Sequence, residues 1–152
     1  MSFSKGLKTR VFIASDHAGL ELKAALQTHL PEYDWIDLGP NEKEGKVDYP
    51  DYAQLLSHKI AEGQNAFGVL ICGSGIGMCI SANKVPGIRA ALVENPVSAR
   101  LSREHNDANV LCLGSRFLAV EYSVEITRNW LETPFSKDPR HQRRIEKIEQ
   151  KV

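Results

Sequence analysis

Cysteine is scarce in this chain: three in 152 residues, with no CxxC pair. That argues against a disulfide framework and against a zinc site built on paired thiolates. Net charge is missing as well, because 19 Lys and Arg balance 19 Asp and Glu. No global field therefore draws the chain onto nucleic acid or a membrane surface. No apolar run is long enough to span a bilayer, and the opening MSFSKGLKTR lacks the apolar centre of a signal peptide. Internal repeats and low-complexity tracts are absent too. These absences predict a protein of a reducing, cytoplasmic compartment with no nucleic-acid or membrane partner. What remains, 42% hydrophobic and 25% charged residues, is ordinary for a globular chain. Its length suits one domain, residues 1–152, burying roughly 70% of its unfolded surface.

The pattern of apolar runs alternates strand and helix. Val11–Ser15, Trp35–Leu38, Val69–Cys72, Ile88–Val93 and Val110–Leu113 read as strands. Between them, Leu20–Leu30 repeats apolar residues at helical spacing and is stopped by Pro31. Pro50 opens a second helix with Ala53, Leu56 and Ile60 on its buried face, and Met78–Asn83 is a short third. Asn95-Pro96 caps a helix running to about His105, and Val120–Leu131 is a further amphipathic one. Asp138-Pro139 starts the last. Such alternation implies a parallel sheet covered on both faces, with ligands at the carboxyl ends of the strands. Asp16-His17, Cys72 with the glycines after it, and Gly114-Ser115-Arg116 each follow a strand directly, so they should share one sheet edge. The last helix, about 138–152, has a narrow apolar stripe (Ile145, Ile148, Val152) beside a basic one (Arg140, Arg144, Lys147, Lys151). It reads as an arm for a second subunit.

The stretch FGVLICGSGIGMCISANK carries the strongest chemical signal. A buried strand runs into Gly73-Ser74-Gly75-Ile76-Gly77 and then a helix start, which presents backbone N–H groups to an anion. Cys72 stands at that loop, where the same field would favour thiolate and is expected to bring the thiol pKa below the free value of about 8.5. No Lys-Ser/Thr follows, so the loop is not a P-loop. Its GxGxG spacing and third-strand position also fit a dinucleotide site poorly, although Glu94 ends the next strand. A tight turn that merely needs small residues is the bland alternative. Cys79 and Cys112 read as small core residues. His105, near a helix end on the side of Val97 and Leu101, could be no more than a satisfied buried histidine.

Taken in order, SDHAG, VDYPDYA, ICGSGIGMCISANK, GIRAA, SREHNDANVLCLGSR and PRHQRRI resemble the type B ribose-5-phosphate isomerases, over nearly all of Val11 to Ile148. The resemblance implies a three-layer α/β/α Rossmann-like fold with a five-stranded parallel sheet. It also implies a dimer or tetramer with the active site shared between subunits, and no metal or organic cofactor. The implied reaction interconverts D-ribose 5-phosphate and D-ribulose 5-phosphate in the pentose phosphate pathway. Cys72 would be the base that moves the proton, and His105 the acid that opens the furanose ring. Asp16 would assist at the ring oxygen or orient hydroxyls. Gly73, Ser74, Gly75, Ile76 and Gly77 would hold the enediolate, with the Ser74 hydroxyl contributing. Asn106 would bind a sugar hydroxyl, and Tyr49 would line the pocket. His17, Arg116, Arg140 and Arg144 would hold the phosphate. Ser74 stands where many members have threonine, which keeps the hydroxyl. Met78 stands where a second subclass has its glutamate base, which puts this chain in the cysteine subclass. A galactose-6-phosphate or allose-6-phosphate isomerase is the nearest rival, and a non-catalytic sugar-phosphate-binding protein a more distant one.

Overall fold

The computed structural model describes residues 6–63 and 65–150. Its elements, in chain order, are β1 (Arg10–Ser15), α1 (Leu20–His29), β2 (Asp34–Asp37), α2 (Tyr49–Ala61), β3 (Phe67–Cys72) and α3 (Ile76–Ala82). Then come β4 (Ala90–Leu92), α4 (Pro96–Asn106), β5 (Val110–Gly114), α5 (Val120–Glu132) and α6 (Pro139–Glu149). The strands form one sheet in the order β2–β1–β3–β5–β4, every neighbouring pair parallel.

A sheet covered on both faces needs strands that are apolar on both faces. The central strands meet that need: Val69 to Ile71 and Val110 to Leu113 are wholly buried. Val11, Ile13, Val69, Ile71, Leu111 and Leu113 point to one side, where α1, α4 and α5 supply Leu26, Ala99, Ile126 and Trp130. Phe12, Ala14, Leu70, Cys72 and Cys112 point to the other, against Leu56 and Ile60 of α2 and Met78 of α3. Burying one such large apolar side chain contributes about 1.5–3 kcal/mol.

Local chemistry sets the helix ends. Asn95 Oδ1 accepts the Ser98 N–H at 2.8 Å and starts α4. Asp138 Oδ1 does the same for Arg140 N–H at α6, also 2.8 Å. Among the boundaries that differ from those the sequence pattern predicts, two have a clear local cause. The edge strand β4 begins at Ala90 rather than Ile88, because Ile88 N–H turns back to Val85 O and Arg89 N–H is taken by the Asn109 side chain at 2.8 Å. The short α3 begins at Ile76 rather than Met78, since Ser74 Oγ accepts the Ile76 N–H at 3.2 Å and supports an earlier first turn.

The C-terminal helix is packed on its own chain along its inner stripe. His141 and Ile145 are buried, and Glu149 Oε1 pairs with Arg89 Nη1 at 2.6 Å. Its outer residues, including Arg140, Arg143 and Arg144, are exposed. Lys151 and Val152 of the anticipated stripes lie outside the described residues.

Candidate active site

From β1 the chain passes to β2 on one side and then to β3 on the other, so the carboxyl ends of β1 and β3 part company. Asp16 leaves β1 at this crevice and Cys72 leaves β3. Arg116 arrives from the turn after β5, the neighbour of β3 on its far side. These three residues, with Tyr49, Gly73 and Ser74, line a cleft of about 440 Å³, and Ile76, Ile80 and Phe117 form its apolar rim. A hollow of about 500 Å³ beside Lys23 and Asp37 gathers no nucleophile. There Lys23 Nζ is already bound to Asp37 Oδ1 at 2.8 Å and to Pro40 O at 2.7 Å.

Backbone hydrogen bonds pin the three strand ends together. Asp16 N–H donates to Ile71 O at 3.0 Å, Ser115 N–H to Cys72 O at 2.9 Å, and Arg116 N–H to Gly73 O at 3.0 Å. The Ser115 hydroxyl spans all three loops, lying 2.8 Å from Ala18 O and 3.3 Å from Cys72 O. Asp16 is only 7% exposed, and its Oδ1 accepts the Ala18 N–H at 2.9 Å. Its second oxygen is left for the cleft.

The glycine loop curls back onto the cysteine. Gly75 adopts φ +76°, a conformation that favours glycine, and its N–H points at Cys72 Sγ, 3.2 Å away. The Arg116 guanidinium lies over Gly73 so closely that a Cβ there would stand 2.9 Å from Nη1. The Tyr49 ring covers Gly77 from the opposite wall. His17, exposed beside Asp16, accepts the Val47 N–H on Nδ1 at 3.3 Å, which leaves Nε2 to carry the ring proton.

A second cluster sits at the other end of the sheet. Helix α4 runs back from the carboxyl edge, so His105 and Asn106 emerge near the strands' amino ends. Arg89, just before β4, donates to Asn106 O at 2.9 Å. At that same edge Val110 pairs with Gly68, and Cys72 is four residues further along β3, about 13 Å of strand. His105 stacks on His141 with ring centroids 4.2 Å apart and 20° between planes, and Arg140 Nη2 approaches His141 Nε2 at 3.4 Å. Within one chain, therefore, Asp16, Tyr49, Cys72, the Gly73–Gly77 loop and Arg116 come together. His105, Asn106 and Arg140 stand apart from them, with Arg144 one helical turn beyond Arg140.

Two residues of these clusters escape the sequence reading. Ser115 is visible only as the residue between Gly114 and Arg116. His141 carries a signal: it lies one turn before Ile145 on the inner stripe of α6, a position that buries it. Burial first, then the neighbouring charges of His105 and Arg140, push the His141 pKa below its ordinary 6.5. The unfolded chain then binds the extra proton more readily than the folded one. Stability is expected to be full above pH 6.5 and to fall as pH drops through 6.5 toward the lower folded value. Thermal melts in that window should flatten in His141→Gln.

Among the described residues no group of three or more His, Cys, Asp or Glu is gathered for a metal ion. Nor is any described helix long and apolar enough to cross a membrane. Residues 11–148 match the Ribose/Galactose Isomerase family model. A probable ribose-5-phosphate isomerase B of Mycoplasma pneumoniae is 48% identical over 140 residues, covering 91% of this chain and 91% of that protein. The type B ribose 5-phosphate isomerase structure from Trypanosoma brucei superposes with a TM-score of 0.90 at 42% identity, covering 94% of this chain and 98% of that one. The ribose-5-phosphate isomerase B of Mycoplasma genitalium, solved with bound ribulose-5-phosphate, gives a TM-score of 0.88 at 44% identity, covering 94% and 95%.

Proposed function

The chain belongs to the ribose/galactose isomerase family, and on that footing we propose that it interconverts D-ribose 5-phosphate and D-ribulose 5-phosphate with Cys72 as the base. The observation that carries this reading is the convergence of Cys72, Asp16, the glycine loop and Arg116 on one cleft at the strand-order reversal. The bound ribulose-5-phosphate of the Mycoplasma genitalium relative supports the substrate class.

The Cys72 thiolate takes the proton from C2 of the open-chain aldose, and the electrons left behind form a 1,2-enediolate. Backbone N–H groups of Gly73–Gly77 and the Ser74 hydroxyl stabilise its oxygens, each such donor contributing about 3–4 kcal/mol. The O2 proton passes to O1 across the enediolate and Cys72 returns its proton to C1, giving the ketose. Asp16 assists at the ring oxygen or orients the sugar hydroxyls. Arg116 and the Nε2–H of His17 hold the phosphate, whose binding energy orients the reacting carbons.

Ring opening needs an acid, and this half of the site has none in the role. We place His105, Asn106, Arg140 and Arg144 of a second copy over the cleft, so that the dimer or tetramer is the active species. The rim supports such a cover: Ile76 is 50% exposed, Ile80 59% and Phe117 69%, an apolar surface suited to a partner. The cytoplasm, where sugar phosphates are handled, is the setting this reading requires.

A direct test follows ketose formation from ribose 5-phosphate by purified protein, with allose 6-phosphate in parallel. Preference for the five-carbon substrate is expected, and turnover of allose 6-phosphate alone would contradict the assignment. Arg144→Ala should raise KM about tenfold or more and weaken inhibition by inorganic phosphate, with little change in kcat.

A further inference from the structure

In the second cluster, one side chain given no part in the reaction holds two helices at once. Arg89, just ahead of β4, is partly buried, and its guanidinium faces the last turn of α4. Its Nε donates to Asn106 O at 2.9 Å and to Asp107 O at 3.2 Å, and Nη2 donates to Asp107 O at 2.9 Å. A helix end leaves its last carbonyls without intrahelical partners, and a cation there also meets the negative end of the dipole. The guanidinium therefore closes α4 immediately after His105. Its remaining nitrogen, Nη1, reaches Glu149 Oε1 at 2.6 Å, on the last residue of α6.

Neighbouring groups keep this grip in place. Asn109 binds the Arg89 backbone on both sides: its Oδ1 accepts the Arg89 N–H at 2.8 Å, and its N–H donates to Arg89 O at 3.0 Å. Asp107 leaves α4 at φ +45°, with its carboxylate shared between Arg103 Nη1 at 2.7 Å and Arg89 Nη2 at 3.6 Å. Arg103 is buried, 4.8 Å above the Phe67 ring centroid, and ties this turn to the core. Its other bonds go to Ala108 O and to Thr133 O after α5, so the link onward to Glu149 runs through Arg89.

Helix α6 is thus held at two places: near its start by the His141 ring on His105, and at its end by Glu149 on Arg89. Residues 141 and 149 span about 12 Å of helix. Arg140 stands just ahead of the first point, and Arg144 lies between the two. Granted the isomerase reading, in which these residues cover the cleft of a second copy, we infer that Arg89 is a positioning residue. It fixes His105 and Asn106 at the end of α4 and, through Glu149, sets the α6 arginines beside them as one block. Loss of the guanidinium loosens the acid and the phosphate arginines together, whereas loss of the Glu149 charge loosens only the arginines.

Steady-state kinetics on ribose 5-phosphate and on a four-carbon aldose 4-phosphate, which needs no ring opening, separate these effects. Melting temperature and oligomeric state are recorded for each full-length protein. Glu149→Gln should raise KM about threefold on both substrates and leave kcat within about twofold. Arg89→Gln should raise KM similarly and also lower kcat on ribose 5-phosphate about tenfold, with kcat on the four-carbon substrate spared. The double variant should match Arg89→Gln, because Glu149 acts through the same guanidinium. Should Arg89→Gln fail to fold, Arg89→Lys decides: one ammonium lacks the fork that serves both helices, so the same split is expected at smaller size. Unchanged kinetics in a folded Arg89 variant overturns the inference, as does an equal loss of kcat on both substrates, which marks general loosening. An unsubstituted protein that does not turn over ribose 5-phosphate overturns the isomerase reading instead, and the inference with it.

Discussion

Replacing Cys72 with alanine is expected to lower kcat for ribose 5-phosphate about a thousandfold, roughly 4 kcal/mol of transition-state stabilisation. The sulfur is the group proposed to carry the proton between C2 and C1, and no other base of the cleft stands in its place. Asp16 already has one oxygen tied to the Ala18 N–H. Because Cys72 is 4% exposed, its truncation also leaves a small cavity, so the melting temperature must be recorded alongside the kinetics. Binding of ribulose 5-phosphate should survive, since Arg116, Ser74 and the loop N–H groups remain. The second signature is exchange: the C2 proton of the aldose should stop exchanging with deuterated solvent in the variant. A Cys72→Ala protein that keeps its kcat and its exchange would remove the sulfur from the mechanism.

Much of this site is legible in the sequence because its parts are local. The run Val69–Cys72 is apolar on both faces and ends at glycine, which marks a buried strand feeding a loop. Asp16 and Arg116 likewise follow strands at once, so topology alone brings them to the edge that holds Cys72. Other features depend on groups distant along the chain. The start of β4 is decided by the side chain of Asn109, which captures the Arg89 N–H. Cys79 reads as a packing residue, and Ala90 O, the acceptor 3.5 Å from its sulfur, comes from a different element of the chain. The stack of His105 on His141 joins α4 to α6, and no spacing within either helix announces it. The oligomer that would unite the two clusters is likewise a matter of surfaces rather than of periodicity.

His105→Ala should be nearly as damaging toward ribose 5-phosphate, with a loss of about a hundredfold or more, for a different reason. In the proposed reaction the sugar enters as a furanose, and its ring oxygen is protonated as the C1–O4 bond breaks. The imidazole is the acid proposed for that step, held in its orientation by the stacked His141 ring. A four-carbon aldose 4-phosphate cannot close a furanose ring, because its O4 carries the phosphate. Turnover of that substrate should therefore be spared in His105→Ala and lost in Cys72→Ala. Equal losses on both substrates in His105→Ala would move the imidazole from ring opening to general binding.

Subunit mixing puts the two halves of the site to the most direct trial. In a two-fold dimer, a cleft with Cys72 from one copy and His105 from the other is intact once in every mixed dimer of the two variants. When inactive Cys72→Ala and His105→Ala proteins are unfolded together in equal amounts and refolded, random pairing makes half the dimers mixed. About a quarter of the unmixed wild-type activity should then return. Activity that stays at the level of the separate variants, in refolded material shown to contain mixed dimers, would contradict a cleft built from Cys72 of one chain and His105 of another.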